Sequence, residues 1–346
     1  MRPFLIVGQG LAGSLLAYQL LKRGCDVQVV DPEQGNASQV AAGLINPVTG
    51  KYLTLGDKTP HYLAKARHTY AQLSALLGAD LCRPLPFIRL LPDEASYQKA
   101  VKRQKNPSYQ PYLSDLQRYP HAGNFIGQIE QIGAAQLNTR AFLKRFRHHL
   151  QTKGCYAQQT LAYEDITLSP LTWRGQPFQA IIFCEGHRVR NNPWFGYLPL
   201  HPAKGEILTL KLTLADAALR HFGHWLLPEG SERTRLGATF MPRSLDLNPS
   251  SAARQQLLTS LSRVNEHWAN APVLEQQAQI RPGSHDRQPY LGAHPQHPRL
   301  WLFNGLGAKG SLQAPLLSEQ MADALLQGEP IPSVVALSRC DRVNRP

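Results

Sequence analysis

The stretch FLIVGQGLAGSLLAYQLLKRGCDVQVVD, residues 4 to 31, decides the fold. The apolar run FLIV has strand length, and Gly8, Gly10 and Gly13 follow it in a GxGxxG pattern. Such glycines serve a tight turn, a close backbone approach to a ligand and close helix packing. Leu11, Leu15, Leu16, Leu20 and Leu21 then recur at helical spacing up to Lys22, Arg23 and Gly24, where basic residues suit the negative end of the helix dipole. The alternation in DVQVVD predicts a second strand. Asp31 closes it eighteen residues after Gly13, where a carboxylate reaches a ribose hydroxyl pair while the helix N-terminus holds a pyrophosphate. The unit therefore predicts a Rossmann-type dinucleotide site. It leaves NAD and FAD open, because both present an ADP half to this fold.

Around that unit lies an ordinary globular chain of 346 residues, 42% hydrophobic and 18% charged, long enough for two subdomains with cores of their own. No apolar run approaches the roughly 18 residues of a spanning helix, so neither a membrane span nor a signal peptide is expected. The five cysteines (Cys25, Cys82, Cys155, Cys184 and Cys340) form no CxxC pair, which argues against a disulfide framework or zinc site and for a reducing cytoplasm. A formal charge of +13 raises the question of an anionic partner such as RNA, but the cations are spread along the chain and a solvated surface is the simpler reading. His148 and His149 are adjacent, and neighbours on a helix diverge by about 100°, so they are expected at the surface and not on a metal.

The remaining landmarks resemble the D-amino-acid oxidase and glycine oxidase family of FAD-dependent oxidoreductases. SQVAAGLINPVTGK (38–51) is similar to the family's serine loop leading to a small-small-Gly step. AIIFCEGH (180–187) is similar to its buried strand ending near the dinucleotide, and LPLHPAKGEILTL (198–210) to its strand entry into the substrate domain. RPGSHDRQPYLG (281–292) matches an Arg-Pro-x-Ser/Thr-x-Asp-x-x-Pro-x-x-Gly signature, and LFNGLGAKGSLQAPLLSEQMADALL (302–326) matches the strand, glycine turn and helix that close the flavin site. The fold class this implies is α/β: a Rossmann-type FAD-binding domain with a discontinuous α+β substrate domain built on a mixed antiparallel sheet. Residues 1–80, 136–197 and 278–336 are assigned to the first, 81–135 and 198–277 to the second, and 337–346 to a frayed basic tail.

By the same resemblance, non-covalent FAD is expected against Gly8, Gly10, Gly13, Asp31, Ser38, Ala42, Gly43, Gly186, Gly305, Gly307 and Gly310. Arg281 is the candidate for the substrate carboxylate, because a guanidinium fork fixes both position and orientation; the alternative is a structural ion pair with Asp286. Tyr290 either lines the pocket or packs, and Lys309 adds positive charge near the reduced flavin. Pro315 is placed in the first turn of its helix. Glu185 departs from the small residue usual before the strand-end glycine. Lys51 and Lys204 are both candidates for activating oxygen, and the sequence does not choose. The Pro- and Tyr-rich segment 106–123 reads as loops covering the site or as a surface connection, and 248–268 as one capped amphipathic helix. The reaction implied is removal of a hydride from the α-carbon of an amino acid or secondary amine, with oxygen or another acceptor taking the electrons and the imine hydrolysing. The alternative is an oxidase acting on a carboxymethylaminomethyl-uridine of tRNA, and a non-enzymatic flavin-fold binding protein ranks last.

Overall fold

A computed structural model describes residues 2–120, 124–242 and 244–340. Strand β1 (Phe4–Val7), helix α1 (Leu11–Lys22) and strand β2 (Val27–Asp31) form as the opening stretch predicts. β1 sits at the centre of a six-stranded sheet ordered Tyr156–Gln158, β2, β1, Ala180–Phe183, Leu300–Asn304, Tyr290–Ala293. All neighbours are parallel except the last pair. α1 covers one face, burying Leu15, Leu16 and Leu20 completely, and each such side chain contributes about 2 kcal/mol. Helices Thr59–Leu77, Thr139–Thr152 and Gly310–Gln327 share that core.

The second sheet has nine strands and draws on chain segments 87–131, 203–242 and 273–281. It is antiparallel apart from one parallel pair, Leu219–His221 with Phe87–Leu91. Its longest pairing joins Ala203–Lys211 to Val273–Arg281, Ala203 lying opposite Arg281. The boundary expected at 277/278 therefore falls inside a strand, because that strand is held by its non-local partner.

Other expectations shift for local reasons. Pro315 lies in the second turn of helix Gly310–Gln327. The ring leaves the Ser311 carbonyl without its i+4 donor, and the buried Tyr70 hydroxyl supplies one at 2.8 Å. Segment 248–268 breaks into Ser251–Ser262, capped by the Ser250 hydroxyl, and Glu266–Ala269, capped by Asn265. Within 106–123 the described part ends in a strand, Leu113–Arg118, at the edge of the large sheet far from Arg281; residues 121–123 lie outside the described residues. Residues 337–340 are no frayed tail. Leu337 and Cys340 are buried in the core on the other face of the six-stranded sheet, and residues 341–346 are not described. Among the described residues no helix is long and apolar enough to cross a membrane.

Candidate active site

The parallel strands end together, and Val7, Asp31, Cys184 and Asn304 line a cavity of about 700 Å³ that continues between the two sheets. This is where open parallel sheets take ligands, beyond their carboxyl ends. The glycines of the opening stretch divide into two roles there. Gly8 and Gly10 line the cavity, whereas Gly13 does not. A Cβ at Gly13 would lie 1.9 Å from the Gly8 carbonyl oxygen, so Gly13 exists for the contact between helix and turn. At Gly10 a Cβ would meet only the Ser38 hydroxyl, at 3.4 Å, leaving room for a ligand against the backbone.

Asp31 is held at the rim by two backbone donors, the N–H of Gln9 to Oδ2 and that of Glu33 to Oδ1, both 2.7 Å. Ser38 Oγ accepts from Leu11 N at 3.2 Å and ties the following loop to α1. That loop passes Ala42 and Gly43, both lining the cavity. Gly43 has φ +71°, and a Cβ there would lie 1.8 Å from the Leu137 carbonyl oxygen, so no other residue fits. Arg235, reaching over from the large sheet, donates to the carbonyls of Val40 and Ala41 and fixes the loop from behind. Gly186, Gly307 and Gly310 complete the lining; Gly305 stays outside it, packed on Pro289 and Tyr290.

Glu185 lines the cavity with both oxygens occupied, Oε1 by the Tyr163 hydroxyl at 2.7 Å and Oε2 by the Asn192 amide at 2.9 Å. Burial pushes its carboxyl up, against those two donors and Arg188. His187, also in the lining, is pushed down by burial and by Arg188 and Arg190.

Across the cavity stands the strand pair Ala203–Lys211 and Val273–Arg281. Gly205, Ile207, Gln279 and Arg281 all face in. The Arg281 guanidinium lies over Gly205, where a Cβ would come within 2.3 Å of Nη2. Nη1 donates to the Thr239 carbonyl at 3.2 Å, and no carboxylate pairs with it among the described residues. Burial lowers its pKa from the usual arginine value, the mark of a cation kept from water without a counter-ion. Asp286, the partner foreseen as an alternative, belongs to Arg339, whose Nε donates to Oδ2 at 2.9 Å. Trp225, Ala238 and Phe240 wall the same end.

Four sequence candidates lie elsewhere. Tyr290 is fully buried outside the cavity, with the Arg339 guanidinium 3.9 Å from its ring centroid. Lys309 is exposed, since its backbone caps helix Gly310–Gln327 and its side chain turns to solvent. Lys204 points to the opposite face of its strand from Gly205. There its Nζ donates to Asp246 Oδ1 at 2.6 Å, and although burial opposes the charge, Asp246 and Glu206 hold the ammonium above its ordinary value. Lys51 is exposed and sits over the Tyr52 ring. Of the residues that sequence reading missed, Gly205, Trp225, Arg235 and Gln279 reach the site through strand pairing and Thr239 and Phe240 through the connection that follows strand Arg233–Gly237, neither of which leaves a local pattern.

The residues present fit FAD. Beyond the open space at Gly10, Gln279, which lines the cavity with its amide Nε2 beside Gly35, has its Oε1 buried without a hydrogen-bond partner, an acceptor that a bound ligand can satisfy. A Rossmann unit with an acidic strand end, a glycine cradle and a second sheet closing over it defines a dinucleotide-binding protein of the kind that carries a redox cofactor. The model of the FAD dependent oxidoreductase family, DAO, matches residues 4–324, and the chain belongs to that FAD-dependent family. A glycine oxidase of Pseudomonas putida is 23% identical over 95% of this chain and 96% of its own length. The tRNA 5-methylaminomethyl-2-thiouridine biosynthesis bifunctional protein MnmC of Pseudomonas entomophila is 26% identical over 99% of this chain, which spans 59% of that protein. The glycine oxidase structure from Bacillus cereus has the same fold, with a TM-score of 0.81 at 19% identity, covering 95% of this chain and 96% of its own.

Proposed function

We propose that the protein oxidises the bond between nitrogen and α-carbon in an amino acid or secondary amine held by its carboxylate. The observation that carries this is Arg281: a half-buried guanidinium facing the cavity, steadied by one carbonyl and paired with no acid among the described residues. A substrate carboxylate supplies the missing counter-ion through two charge-assisted hydrogen bonds. Bound FAD, held non-covalently by Gly8, Gly10, Asp31, Ser38, Ala42 and Gly43, supplies a two-electron acceptor. Thr239 orients the guanidinium, and Ile207, Trp225 and Ala238 exclude water, so the amine is kept in its neutral, oxidisable form. The imine hydrolyses, and oxygen or another acceptor takes the electrons. Five free cysteines support a reducing cytoplasm as its place. In an anaerobic visible spectrum, glycine, sarcosine, D-alanine or D-proline is expected to bleach the flavin band, with Arg281→Ala lowering kcat/KM by about 100-fold or more and Arg281→Lys recovering little. A flavin that stays oxidised with all four refutes the reading.

A second reading, oxidation of an amine carried on tRNA, is favoured by the helix Thr139–Thr152. It exposes Arg140, Lys144, Arg145 and His148, and no acid occurs between Glu130 and Glu164. If it holds, tRNA is retained at about 50 mM salt and largely released by about 200 mM, and the triple exchange of Arg140, Lys144 and Arg145 to Glu removes retention.

A further inference from the structure

The face of the large sheet that carries Gly205 and Ile207 continues past the flavin cavity. Two residues further along the same strand, and on the same face, Thr209 lines a second cavity of about 400 Å³, room enough for a small molecule. The loop 37–43 borders both cavities, with Ala41 and Ala42 in each lining. Residues of the second cavity hold the carbonyls of that loop. Arg235 donates to Val40 and Ala41, Thr139 Oγ1 to Ala41 at 3.3 Å, and Gln136 Nε2 to Ala42 at 3.4 Å. All three side chains are more than nine-tenths buried.

The lining is polar and carries both signs of charge, set out in a row across three paired strands. Thr209 lies opposite Arg235 on one side and opposite Glu275 on the other. It is 4% exposed, and its hydroxyl finds no hydrogen-bond partner among the described residues. Arg235 is spent on the loop and on Glu229, 3.3 Å away. Arg233, next on that face of its strand, and Glu275 both line the cavity and enter no ion pair among the described residues. On the opposite wall Arg83 is bonded to Gln136 and Arg140 to Gln277, with Asp80 beside them. A lone anion here would face Glu275 and a lone cation would face Arg233. A molecule bearing both charges meets both.

We propose that this cavity is a second binding site, for a small zwitterion bearing an ammonium and a carboxylate, and that its occupant tightens FAD binding through the loop 37–43. The carboxylate takes Arg233 and the ammonium takes Glu275, with the Thr209 hydroxyl between them. Coupling runs through Arg235. Glu275 attracts that guanidinium from across Thr209. An ammonium on Glu275 cancels the attraction and leaves Arg235 to the carbonyls of Val40 and Ala41, which steadies the flavin side of the loop. The site requires no particular chemistry at the flavin and stands apart from the amine-oxidising reading.

Flavin-loaded protein is titrated calorimetrically with 2-aminoisobutyrate, 3-amino-3-methylbutanoate and 4-amino-4-methylpentanoate. None has a hydrogen on the carbon bearing nitrogen, so the flavin stays oxidised. Trimethylacetate and tert-butylamine supply the two charges separately, and Arg281→Ala is titrated alongside to remove the cation of the first cavity. At least one zwitterion is expected to bind once per chain, about tenfold more tightly than either single-charge compound, the worth of one further charged hydrogen bond. Wild type and Arg281→Ala should agree. Glu275→Gln and Arg233→Gln should each lower the affinity about tenfold; both side chains reach solvent, so flavin content and melting temperature are expected to hold. Apoprotein titrated with FAD and followed by flavin fluorescence should show a dissociation constant about fivefold lower with the zwitterion present, and a smaller change in Glu275→Gln. Binding that disappears in Arg281→Ala puts the ligand in the first cavity and overturns the site. Zwitterions that bind no more tightly than the single-charge compounds, or not at all, overturn it too. Binding that leaves the FAD dissociation constant unchanged overturns the coupling.

Discussion

At the scale of single residues, the site is made as much by what glycine omits as by what other side chains supply. Gly10 and Gly13 belong to one motif but have opposite surroundings: a Cβ would enter open cavity at the first and meet a carbonyl oxygen at 1.9 Å at the second. Gly10→Ala is therefore expected to leave the flavin-free protein within about 2 °C of its melting temperature while weakening FAD binding. Gly13→Ala is expected to lose at least about 2 kcal/mol, the usual cost of overpacking, and to express poorly. Thermal melts of the two apoproteins check this; equal destabilisation refutes the division. Gly205 extends the same logic to substrate. Since a Cβ there would meet Arg281 Nη2 at 2.3 Å, Gly205→Ala displaces the guanidinium, and kcat/KM for carboxylate-bearing amines should fall about 10- to 100-fold with flavin content retained. Arg281 was legible in its motif, but its freedom was not. Only the structure assigns Asp286 to Arg339, fifty-three residues away, and leaves Arg281 without an acid among the described residues.

At the scale of elements, local pattern was a good guide wherever one element answers to its own sequence. The period of Leu11 to Leu21 and the glycine turn specify β1, α1 and β2 because their contacts lie within one short unit. Strand pairing across seventy residues leaves no such trace, which is why Ala203–Lys211 and Val273–Arg281 escaped assignment to one sheet. The segment Leu337–Cys340 differs from its expected form for a related reason: its basic composition suggests a solvated end, but Arg339 finds Asp286 and stacks over Tyr290. This clasp has a pH signature. Burial alone raises the Asp286 carboxyl, yet Arg339, Gln288 and Ser284 outweigh it and hold it at about 2. A folded-state pKa below the unfolded one stabilises above the unfolded value, near 4, and the gain disappears as pH falls through about 2. After allowance for solvent screening, Asp286→Asn should cost about 1 kcal/mol at about pH 6 and nothing below about pH 2. Denaturant melts at both pH values check it, and a cost that persists at the lower pH assigns the effect to something other than charge.

At the scale of the whole molecule, the cavity is the joint between two sheets, each packed against core clusters of its own. Its floor is the carboxyl ends of the parallel strands and its roof is Gly205, Ile207, Gln279 and Arg281 of the large sheet. The assignment of 1–80, 136–197 and 278–336 to one domain, and of 81–135 and 198–277 to the other, remains our proposal, with the last boundary moved from 277/278 to past Arg281 to keep its strand whole. A ligand that touches floor and roof binds neither part alone, so its binding energy is available only to the assembled molecule. FAD at about 100 times its dissociation constant should then add about 2.7 kcal/mol to unfolding, a rise of several degrees in the melting temperature. The rise should appear in one transition for the entire chain. Calorimetry of flavin-free and flavin-loaded protein reads both quantities. Gly10→Ala is expected to lose most of the increment at a fixed FAD concentration. Arg281→Ala should retain it if, as proposed, that guanidinium serves the substrate. If flavin instead splits the melt into two transitions and shifts only the earlier one, the cavity belongs to one sheet's domain and the roof closes over it without contributing to cofactor binding.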